Sequence, residues 1–354
     1  MQLLQYILYP FSLLYGFVML VRNLLFDLRI LPSARFEKPV ISVGNLSMGG
    51  TGKTPHIEYL IRLLSPLYSV ATLSRGYGRE SKGFIIGSKR SNVKYIGDEP
   101  LQLIRKFADI RVAVDENRKR GITNLFNKYP DLGVILLDDA FQHRYVRPGL
   151  SILLTTNSRL YTEDHVVPSG TLREFRQGAN RADIIIVTKT PKIFSPISKR
   201  RILDEIAPQN QQKVFFSYIN YGEPYPLSET AEPVIPLKLA SILLLTGIAD
   251  YSLLQEHIER LCSNVIVMGF GDHHAFTEND IQDIVSRFND IPTRKKVIIT
   301  TEKDAMRLRT AELLPALKNL PVYYIPISVE FHGTDKDLFD RHIISFIEKN
   351  KTSL

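Results

Sequence analysis

A lysine and a threonine that directly follow a cluster of glycines are the residues of this sequence best suited to bind phosphate. The run Gly49-Gly50-Thr51-Gly52-Lys53-Thr54 lies between an apolar segment, 39–43, and a stretch with helical apolar spacing, 57–64. Glycines let backbone N–H groups turn toward phosphate oxygens, a lysine reaches the β- and γ-phosphates, and a threonine hydroxyl can ligate Mg²⁺. The segment therefore predicts a loop that binds a nucleoside triphosphate.

The glycine run departs from the common form of such a loop. The usual pattern needs glycine where this sequence has Ser47, and a variant pattern that begins with lysine has Met48 in that place. A glycine-rich turn that ends in Lys-Thr by coincidence is the alternative interpretation. The flanking strand and helix signals, more than the motif itself, favour the phosphate-binding loop.

Two aspartates close another apolar segment of the same region. Asp138 and Asp139 follow 132–137, an uncharged and mostly aliphatic run. Carboxylates at the carboxyl end of a strand beside a phosphate loop commonly face the Mg²⁺ of the bound nucleotide, although aspartates are also frequent in turns. Together with Thr54, Asp138 and Asp139 are the predicted metal ligands.

Other polar residues follow predicted strands or begin predicted helices. Asp98, in a turn that enters a helix, is either a helix cap or a base that takes a proton from an attacking hydroxyl. Arg118 lies in the charged run 115–120 and either holds an anionic substrate group or belongs to a solvated face. Gln142 and His143 lie in the loop that would overhang the site, where His143 binds either substrate or a backbone group.

The histidine pair His273-His274 lies in a predicted loop between a strand and a helix. Adjacent histidines do not easily share one metal, and no cysteine or further histidine has zinc-like spacing. We favour a histidine that orients or tunes a carboxylate, and the sequence does not choose between His273 and His274.

The elements that must position these residues alternate between apolar strands and helical stretches, which indicates an α/β protein. Continuous hydrophobicity in the strands favours a parallel sheet covered on both faces. We expect a P-loop NTPase-like parallel-sheet domain at 35–195, linker strands at 196–238, and a second, smaller α/β domain at 239–354 that closes a cleft. Residues 1–34 are expected to form an N-terminal membrane-associated helix.

The amino terminus carries no charged side chain over residues 1–21, which is about the length needed to cross a bilayer core. Pro10, Gly16 and several tyrosines argue against a full span, and no cleavable signal is recognisable. We favour an uncleaved anchor, spanning or lying in the interface, over a buried core helix. Arg22, Arg29 and Arg35 follow the apolar run and suit a cytoplasmic body.

The composition restricts the partners and the compartment. A net charge of +8 and a pI of about 9.3 favour an anionic partner, which could be nucleic acid, a membrane surface or a phosphorylated substrate. No nucleic-acid-binding signature accompanies this charge, so we expect no nucleic acid partner. The single cysteine, Cys262, excludes an internal disulfide and fits a reducing compartment.

A series of short motifs occurs along the chain in a fixed order: Gly44-Asn45, Gly49-Gly50-Thr51-Gly52-Lys53-Thr54-Pro55, Ser74-Arg75-Gly76-Tyr77-Gly78, Gly97-Asp98-Glu99-Pro100, Asn117-Arg118, Asp138-Asp139-Ala140-Phe141-Gln142-His143, Leu172-Arg173-Glu174, Asp272-His273 and Thr301-Glu302-Lys303-Asp304-Ala305. In this order they resemble the tetraacyldisaccharide 4'-kinase family of lipid A biosynthesis. The resemblance extends from the apolar amino terminus to about residue 330. It is specific because Thr-Gly-Lys-Thr-Pro and Asp-Asp-Ala-Phe-Gln-His occur together.

The resemblance implies an ATP-dependent kinase at the cytoplasmic face of the bacterial inner membrane. Such an enzyme phosphorylates the 4'-hydroxyl of a tetraacylated, lipid-linked glucosamine disaccharide 1-phosphate to give lipid IVA. The implied cofactors are ATP and Mg²⁺, the implied partners are the lipid substrate and the membrane surface, and we expect a monomer.

The resemblance also implies roles for individual residues. The run from Gly49 to Thr54 would bind ATP, with Thr54, Asp138 and Asp139 on the metal. Asp98 would be the base, paired with His273 from the other domain, while Lys53 and Arg173 would act on the transferred phosphoryl group. The residues that would contact the disaccharide headgroup are Tyr77, Asn117, Arg118, Gln142 and His143.

Two alternatives come from other functional classes. One is a membrane-attached variant P-loop NTPase switch that acts on a protein partner. The other, a nucleic-acid-binding ATPase, is suggested only by the pI. No base-reading residue can be named from the sequence, so ATP and GTP are not distinguished, and the acyl-chain preference is equally open.

Overall fold

The fold was determined as a computed structural model that describes residues 2–228, 239–272, 274–310 and 312–351. Two compact units make up the chain. Unit 1 consists of Met1–Ile219 together with Val329–Leu354, and unit 2 is Asn220–Ser328.

The helices are α1 Gln2–Asp27, α2 Lys53–Leu64, α3 Val93–Ile96, α4 Asp98–Lys106, α5 Arg118–Lys128, α6 Pro196–Ile206, α7 Ser252–Glu259, α8 Glu278–Asn289, α9 Glu302–Leu308, α10 Leu314–Leu317 and α11 Asp335–Lys351. Short 3-10 helices occupy Tyr161–Glu163 and Arg176–Arg181.

The strands are β1 Val40–Asn45, β2 Val70–Ser74, β3 Ile85–Ile86, β4 Arg111–Val114, β5 Val134–Asp138, β6 Leu150–Thr156, β7 Ile184–Thr188, β8 Lys213–Tyr221, β9 Tyr225–Pro226, β10 Ser241–Thr246, β11 Val265–Gly269, β12 Lys296–Thr301, β13 Val322–Ile325 and β14 Ile327–Phe331.

Unit 1 is built on a sheet of nine described strands in the order β14-β8-β7-β6-β1-β5-β2-β4-β3. The strands from β8 to β4 in this order pair in parallel, and β3 pairs antiparallel with β4. Every residue of β1 and β5 is buried, as expected for central strands covered on both faces. Neighbouring residues such as Ile135 and Leu136 accordingly belong to different hydrophobic clusters. The predicted α/β fold with a parallel sheet is confirmed.

Unit 2 has its own sheet, in the order β11-β10-β12-β13-β9 among the described strands. The first four strands are parallel, and the two-residue β9 is antiparallel to β13. Helix α8 begins with a capping box formed by Thr277 and Asp280. Unit 2 is thus a second, smaller α/β unit, as predicted.

The boundaries of the units differ from the predicted domains. The predicted linker 196–238 includes α6 and β8, whose residues Ile202 and Phe216 lie in a core cluster of unit 1. The predicted second domain 239–354 includes α11, yet Phe339 and Ile343 pack in the same cluster as Ile41 of β1. The sequence interpretation failed here because both segments join unit 1 through contacts distant in sequence. Residues 229–238 of the predicted linker lie outside the described residues.

Helix α1 touches the rest of unit 1 along a narrow stripe. Ser12, Gly16 and Phe26 are buried and lie on one helical face. A Cβ atom at Gly16 would overlap the ring of Phe175, so glycine permits this close approach. The other faces expose large apolar side chains: Tyr6, Ile7, Phe11, Leu14, Phe17, Val18 and Leu24. Among the described residues, Tyr6–Asp27 is long and apolar enough to cross a membrane by length and composition.

Candidate active site

The glycine run forms the turn between a buried strand and a helix, since β1 ends at Asn45 and α2 begins at Lys53. Gly49 and Gly52 have φ angles of 107° and 87°, a conformation that residues with a side chain rarely adopt. Gly52 lies at the N-cap position and carries no side chain to occupy the first N–H groups of α2. Lys53 and Thr54 thus lie in the first helical turn, as a phosphate-binding loop requires.

Asn45 holds this loop from within the protein. Its amide nitrogen donates to Thr51 Oγ1 at 2.9 Å, and its Oδ1 accepts from Lys53 Nζ at 3.5 Å. Thr188, at the end of β7, donates to the carbonyl oxygen of Thr51 at 2.9 Å. The loop is therefore fixed by side chains from two strands of the sheet.

Asp139 follows β5, the strand beside β1, and receives two cationic side chains. Lys53 Nζ lies 3.7 Å from its Oδ1, and Arg173 Nη1 donates to the same oxygen at 2.9 Å. Burial opposes ionisation of Asp139, but Lys53 and Arg173 outweigh burial and lower its pKa. The backbone of Asp139 has a φ of 48°, which is uncommon outside glycine and marks a constrained turn at this strand end.

Asp138 lies opposite Val43 of β1 and has a different environment. Burial, with a contribution from the charge of Glu99, raises the pKa of Asp138 to about 7. Its Oδ1 is buried and has no hydrogen-bond partner within the described part of the chain. A buried carboxylate oxygen without a partner is costly unless a ligand or cation completes it.

The donors around Asp138 fit a Mg²⁺ ion. Within the described ranges, no group of three or more His, Cys, Asp or Glu side chains could hold a metal. Mg²⁺ does not need such a group, because it is commonly bound by one or two carboxylates together with substrate phosphates and waters. The Thr54 hydroxyl and the carboxylates of Asp138 and Asp139 supply hard oxygen donors of this kind.

Gln142 and Arg173 connect the loop after β5 to the phosphate loop. The Gln142 side-chain nitrogen donates to the carbonyl oxygen of Asn45 at 3.0 Å, and its oxygen accepts from Arg173 Nη1 at 3.3 Å. Burial, followed by the charges of Arg118 and Arg75, lowers the pKa of the neighbouring His143 to about 4. His143 is therefore neutral at physiological pH and can both donate and accept a hydrogen bond.

Arg118 and Asn117 have structural partners at the start of α5. Arg118 is only 2% exposed, and its guanidinium donates to the carbonyl oxygens of Asp115 at 2.7 Å and Asp138 at 3.3 Å. Asn117 caps α5 by accepting from the backbone nitrogen of Arg120 at 3.0 Å. Arg118 thus joins the carboxyl ends of β4 and β5. The alternative interpretation, that Arg118 belongs to a solvated face, is wrong because the residue is buried.

Asp98 is the first residue of α4, whereas Gly97 occupies the N-cap position. The interpretation of Asp98 as the helix cap is therefore wrong by one position, since the cap is the preceding residue. Its carboxylate is buried and its Oδ1 accepts from the backbone nitrogen of Glu99 at 2.8 Å. Gly97, with a φ of 91°, packs closely against the carbonyl oxygen of Tyr77, whose side chain is 67% exposed. Tyr77 therefore lies at the surface beside the start of α4.

The predicted partner of Asp98, His273, lies outside the described residues. Its neighbour His274 contacts Asp280 of α8, with Nε2 3.0 Å from the carboxylate, and stacks on Phe270. His274 is therefore engaged within unit 2.

Sequence reasoning assigned no role to Asn45, Glu174 and Asn23, which complete the network. Asn45 had one usable signal, its position at the end of a buried strand directly before the glycine run. Glu174 is 1% exposed and accepts from Asn23 of α1 at 2.6 Å. No local pattern could have revealed this contact, since its partners are 151 positions apart.

The arrangement brings together the parts that phosphoryl transfer needs. Lys53 and Arg173 place two positive charges beside the phosphate loop, where charge develops on the transferred group. The carboxylates of Asp138 and Asp139 offer oxygen donors of the kind that Mg²⁺ prefers, and the glycine turn offers backbone N–H donors.

Comparisons with known proteins agree with this chemistry. A family model for tetraacyldisaccharide-1-P 4'-kinase matches residues 4–347. Tetraacyldisaccharide 4'-kinase of Parabacteroides distasonis is 48% identical, with 96% of this chain and 94% of that protein covered. The protein of the same name from Flavobacterium johnsoniae is 45% identical, with 99% of both chains covered. The crystal structure of LpxK from Aquifex aeolicus in complex with ATP matches with a TM-score of 0.73 and 27% identity, covering 97% of this chain and 99% of that chain.

Proposed function

The chain belongs to the tetraacyldisaccharide-1-P 4'-kinase family, and from this membership we propose how its residues carry out the reaction. It is an ATP-dependent lipid kinase that transfers the γ-phosphoryl group to the 4'-hydroxyl of a tetraacylated glucosamine disaccharide 1-phosphate in lipid A biosynthesis. The observation that carries the assignment of residues is the convergence of Lys53 and Arg173 on Asp139 beside the phosphate loop.

The phosphate loop from Gly49 to Thr54 binds the triphosphate of ATP in this proposal. Lys53 and Arg173 stabilise the negative charge that builds on the γ-phosphoryl oxygens during in-line transfer. Mg²⁺, held by Thr54, Asp138 and Asp139, would neutralise phosphate charge when bound. The unpartnered Oδ1 of Asp138 supports this assignment.

Asp98 is the proposed base, which accepts the proton of the attacking 4'-hydroxyl. Its buried carboxylate lies at the start of α4, close to the loop that carries Tyr77. The pairing of Asp98 with His273 is proposed on sequence grounds alone. The engagement of His274 with Asp280 favours His273 over its neighbour for this role.

The headgroup of the disaccharide is proposed to contact Tyr77, Asn117, Gln142 and His143. The exposed phenol of Tyr77 and the neutral imidazole of His143 suit hydroxyl and carbonyl groups of a sugar. Arg118 is buried, so its proposed contribution is to hold Asp138 and the start of α5 in place beneath the headgroup residues.

Helix α1 is proposed to lie in the membrane interface at the cytoplasmic face of the inner membrane. The stripe from Ser12 to Phe26 is held against unit 1 over roughly 21 Å, at 1.5 Å per residue. The remaining helix is too short to cross a hydrocarbon core of about 30 Å. The exposed apolar faces nevertheless need an apolar environment, which an interfacial position provides. In a Cys262→Ser background, Tyr6→Cys should be labelled only from the cytoplasmic side, and periplasmic labelling would contradict this position.

The reaction itself is tested with labelled ATP, Mg²⁺ and detergent, with and without the tetraacylated disaccharide 1-phosphate. We expect label in the lipid product only when the disaccharide is present. Label that appears only as free phosphate would contradict the proposed function and favour a nucleotide switch.

A further inference from the structure

Helix α1 makes polar contacts with residues of the active site as well as presenting an apolar surface. Asn23 Nδ2 donates to Glu174 Oε2 at 2.6 Å, and Arg22 Nη2 donates to the carbonyl oxygen of Gln142 at 3.2 Å. The Tyr15 hydroxyl donates to the carbonyl oxygen of Arg173 at 3.2 Å. The helix thus contacts the three residues Gln142, Arg173 and Glu174.

Glu174 is the centre of these contacts. Its side chain is only 2% exposed, so each carboxylate oxygen must be satisfied by the protein. Oε1 accepts from Gln142 Nε2 at 3.1 Å and from Arg181 Nη2 at 2.8 Å, while Oε2 accepts from Asn23. Hydrogen bonds to a buried carboxylate are among the stronger ones in proteins. The position of Glu174 therefore depends on α1 at one oxygen and fixes Gln142 at the other.

Gln142 continues the network to the phosphate loop. The same side chain that Glu174 holds also donates to Asn45 and accepts from Arg173. Arg173 in turn donates to Asp139, which lies 3.7 Å from Lys53. An unbroken series of contacts joins the helix to the cations that flank the phosphate loop.

We propose that Glu174 is a positioning residue which couples the docking of α1 to the geometry of the phosphoryl-transfer site. The inference rests on the proposed function and extends it. Helix α1 is part of the active site, and its docked position sets the orientation of Gln142 and Arg173. Because the exposed faces of α1 need a lipid surface, the enzyme is built to be fully active only where its substrate resides.

The key variant is Asn23→Ala, tested in the full-length protein. It removes the donor to Glu174 Oε2 without touching a residue of the phosphate loop. We expect kcat for lipid phosphorylation in detergent to fall about ten- to a hundredfold, as for the loss of a hydrogen bond to a charged group. KM for ATP should stay within about twofold, because the phosphate loop is unchanged. Asn23→Gln, which retains an amide donor, should recover part of kcat.

The matched control is Leu14→Ser, which lies on the face of α1 opposite Asn23. We expect this variant to bind vesicles of anionic phospholipid more weakly while kcat in detergent stays at the wild-type value. Asn23→Ala should show the converse pattern, with normal vesicle binding and reduced kcat. An unchanged kcat in Asn23→Ala, or an equal loss in both variants, would overturn the proposal.

A readout that does not depend on the lipid separates this inference from the proposed function. Amide hydrogen exchange in residues 139–145 and 172–175 should rise in Asn23→Ala and stay at the wild-type level in Leu14→Ser. Unchanged exchange in Asn23→Ala refutes the coupling, whatever the substrate. A wild-type protein that transfers no label to the disaccharide refutes the proposed function while the exchange result still decides the coupling.

Discussion

Arg173 donates from Nη1 to Oδ1 of Asp139 at 2.9 Å, and this contact joins the long β6–β7 connection to the carboxyl end of β5. Lys53 approaches the same oxygen at 3.7 Å. One carboxylate thus orients both cations that are proposed to stabilise the transferred phosphoryl group. In the absence of that carboxylate the two positive charges would repel each other.

Removal of the charge on Asp139 should therefore impair catalysis. We expect Asp139→Asn to lower kcat by roughly two to three orders of magnitude, since a proposed metal ligand and the orientation of two cations are both affected. Steady-state assays with saturating ATP and lipid measure this. Asp204→Asn, an exposed carboxylate of α6, is the control and should retain wild-type kcat. Equal activity of the two variants would remove Asp139 from the mechanism.

Lys53 offers a test of the phosphate loop itself. Lys53→Ala should reduce turnover by roughly two to three orders of magnitude, because the transition-state charge loses a fixed cation. The fold should remain intact, since Lys53 lies in the first turn of α2 and is not part of the core. Circular dichroism checks the fold, and turnover near the wild-type rate would contradict the proposed role.

Sequence predicted the position of a residue in the fold best where the signal is local. The glycine run, Lys53 and Thr54 are adjacent in sequence, and their flanking strand and helix follow from apolar spacing alone. Asp138 and Asp139 were placed at the carboxyl end of β5 for the same reason. Contacts such as that of Gln142 with Asn45 join positions 97 apart and are fixed only when the strands take their order in the sheet.

The misplaced domain boundaries have the same physical cause, namely contacts between residues that are distant in sequence. The apolar spacing of α11 predicted a helix correctly, but it did not indicate which core that helix would join. Phe339 packs against Phe331 and Phe215, which brings the end of the chain back to the sheet of unit 1. Local composition does not reveal that a helix which follows the second unit in sequence packs in the core of the first.

The role of Asp98 is tested by isolating the chemical step. Asp98→Asn keeps an oxygen that can accept from the backbone nitrogen of Glu99, so α4 should form normally. We expect the single-turnover rate to fall by roughly two orders of magnitude or more, since general base catalysis is lost, with little change in ATP affinity. Rapid-quench measurement of one turnover is the assay. A wild-type rate would restrict Asp98 to stabilising the helix start.

Stability at acidic pH should depend on His56. Its Nδ1 lies 2.7 Å from the carbonyl oxygen of Gly52 and its Nε2 lies 3.1 Å from Ser217 Oγ. Burial outweighs the hydrogen bond to Gly52 and lowers the pKa of His56 to about 4. Between this pKa and the ordinary value of about 6.5, the unfolded chain binds a proton at His56 that the folded protein does not. The contribution of His56 to the free energy of unfolding is therefore fully present above a pH of about 6.5 and is lost as the pH drops toward 4.

This loss should reach up to about 3 kcal/mol for a full shift of that size. Denaturant unfolding at several pH values between 4 and 7.5 measures it. In His56→Gln the slope of the free energy of unfolding against pH should be smaller, by the amount that corresponds to about one bound proton. A His342→Gln variant, at a half-buried histidine of α11, is the control and should keep most of the slope. An unaltered slope in His56→Gln would contradict the assignment.

The close approach of α1 to unit 1 can be tested at Gly16. Gly16→Ala places a Cβ against the ring of Phe175 and should loosen the helix, although alanine favours helix formation more than glycine does. We expect a lower melting temperature and reduced kcat in detergent, because Asn23 would move away from Glu174. Replacing the opposing ring with a smaller side chain, in Gly16→Ala/Phe175→Leu, should recover part of the melting temperature and part of kcat. Recovery in the double variant would tie the loss to this contact, whereas a fully stable and active Gly16→Ala would mean that α1 docks without it.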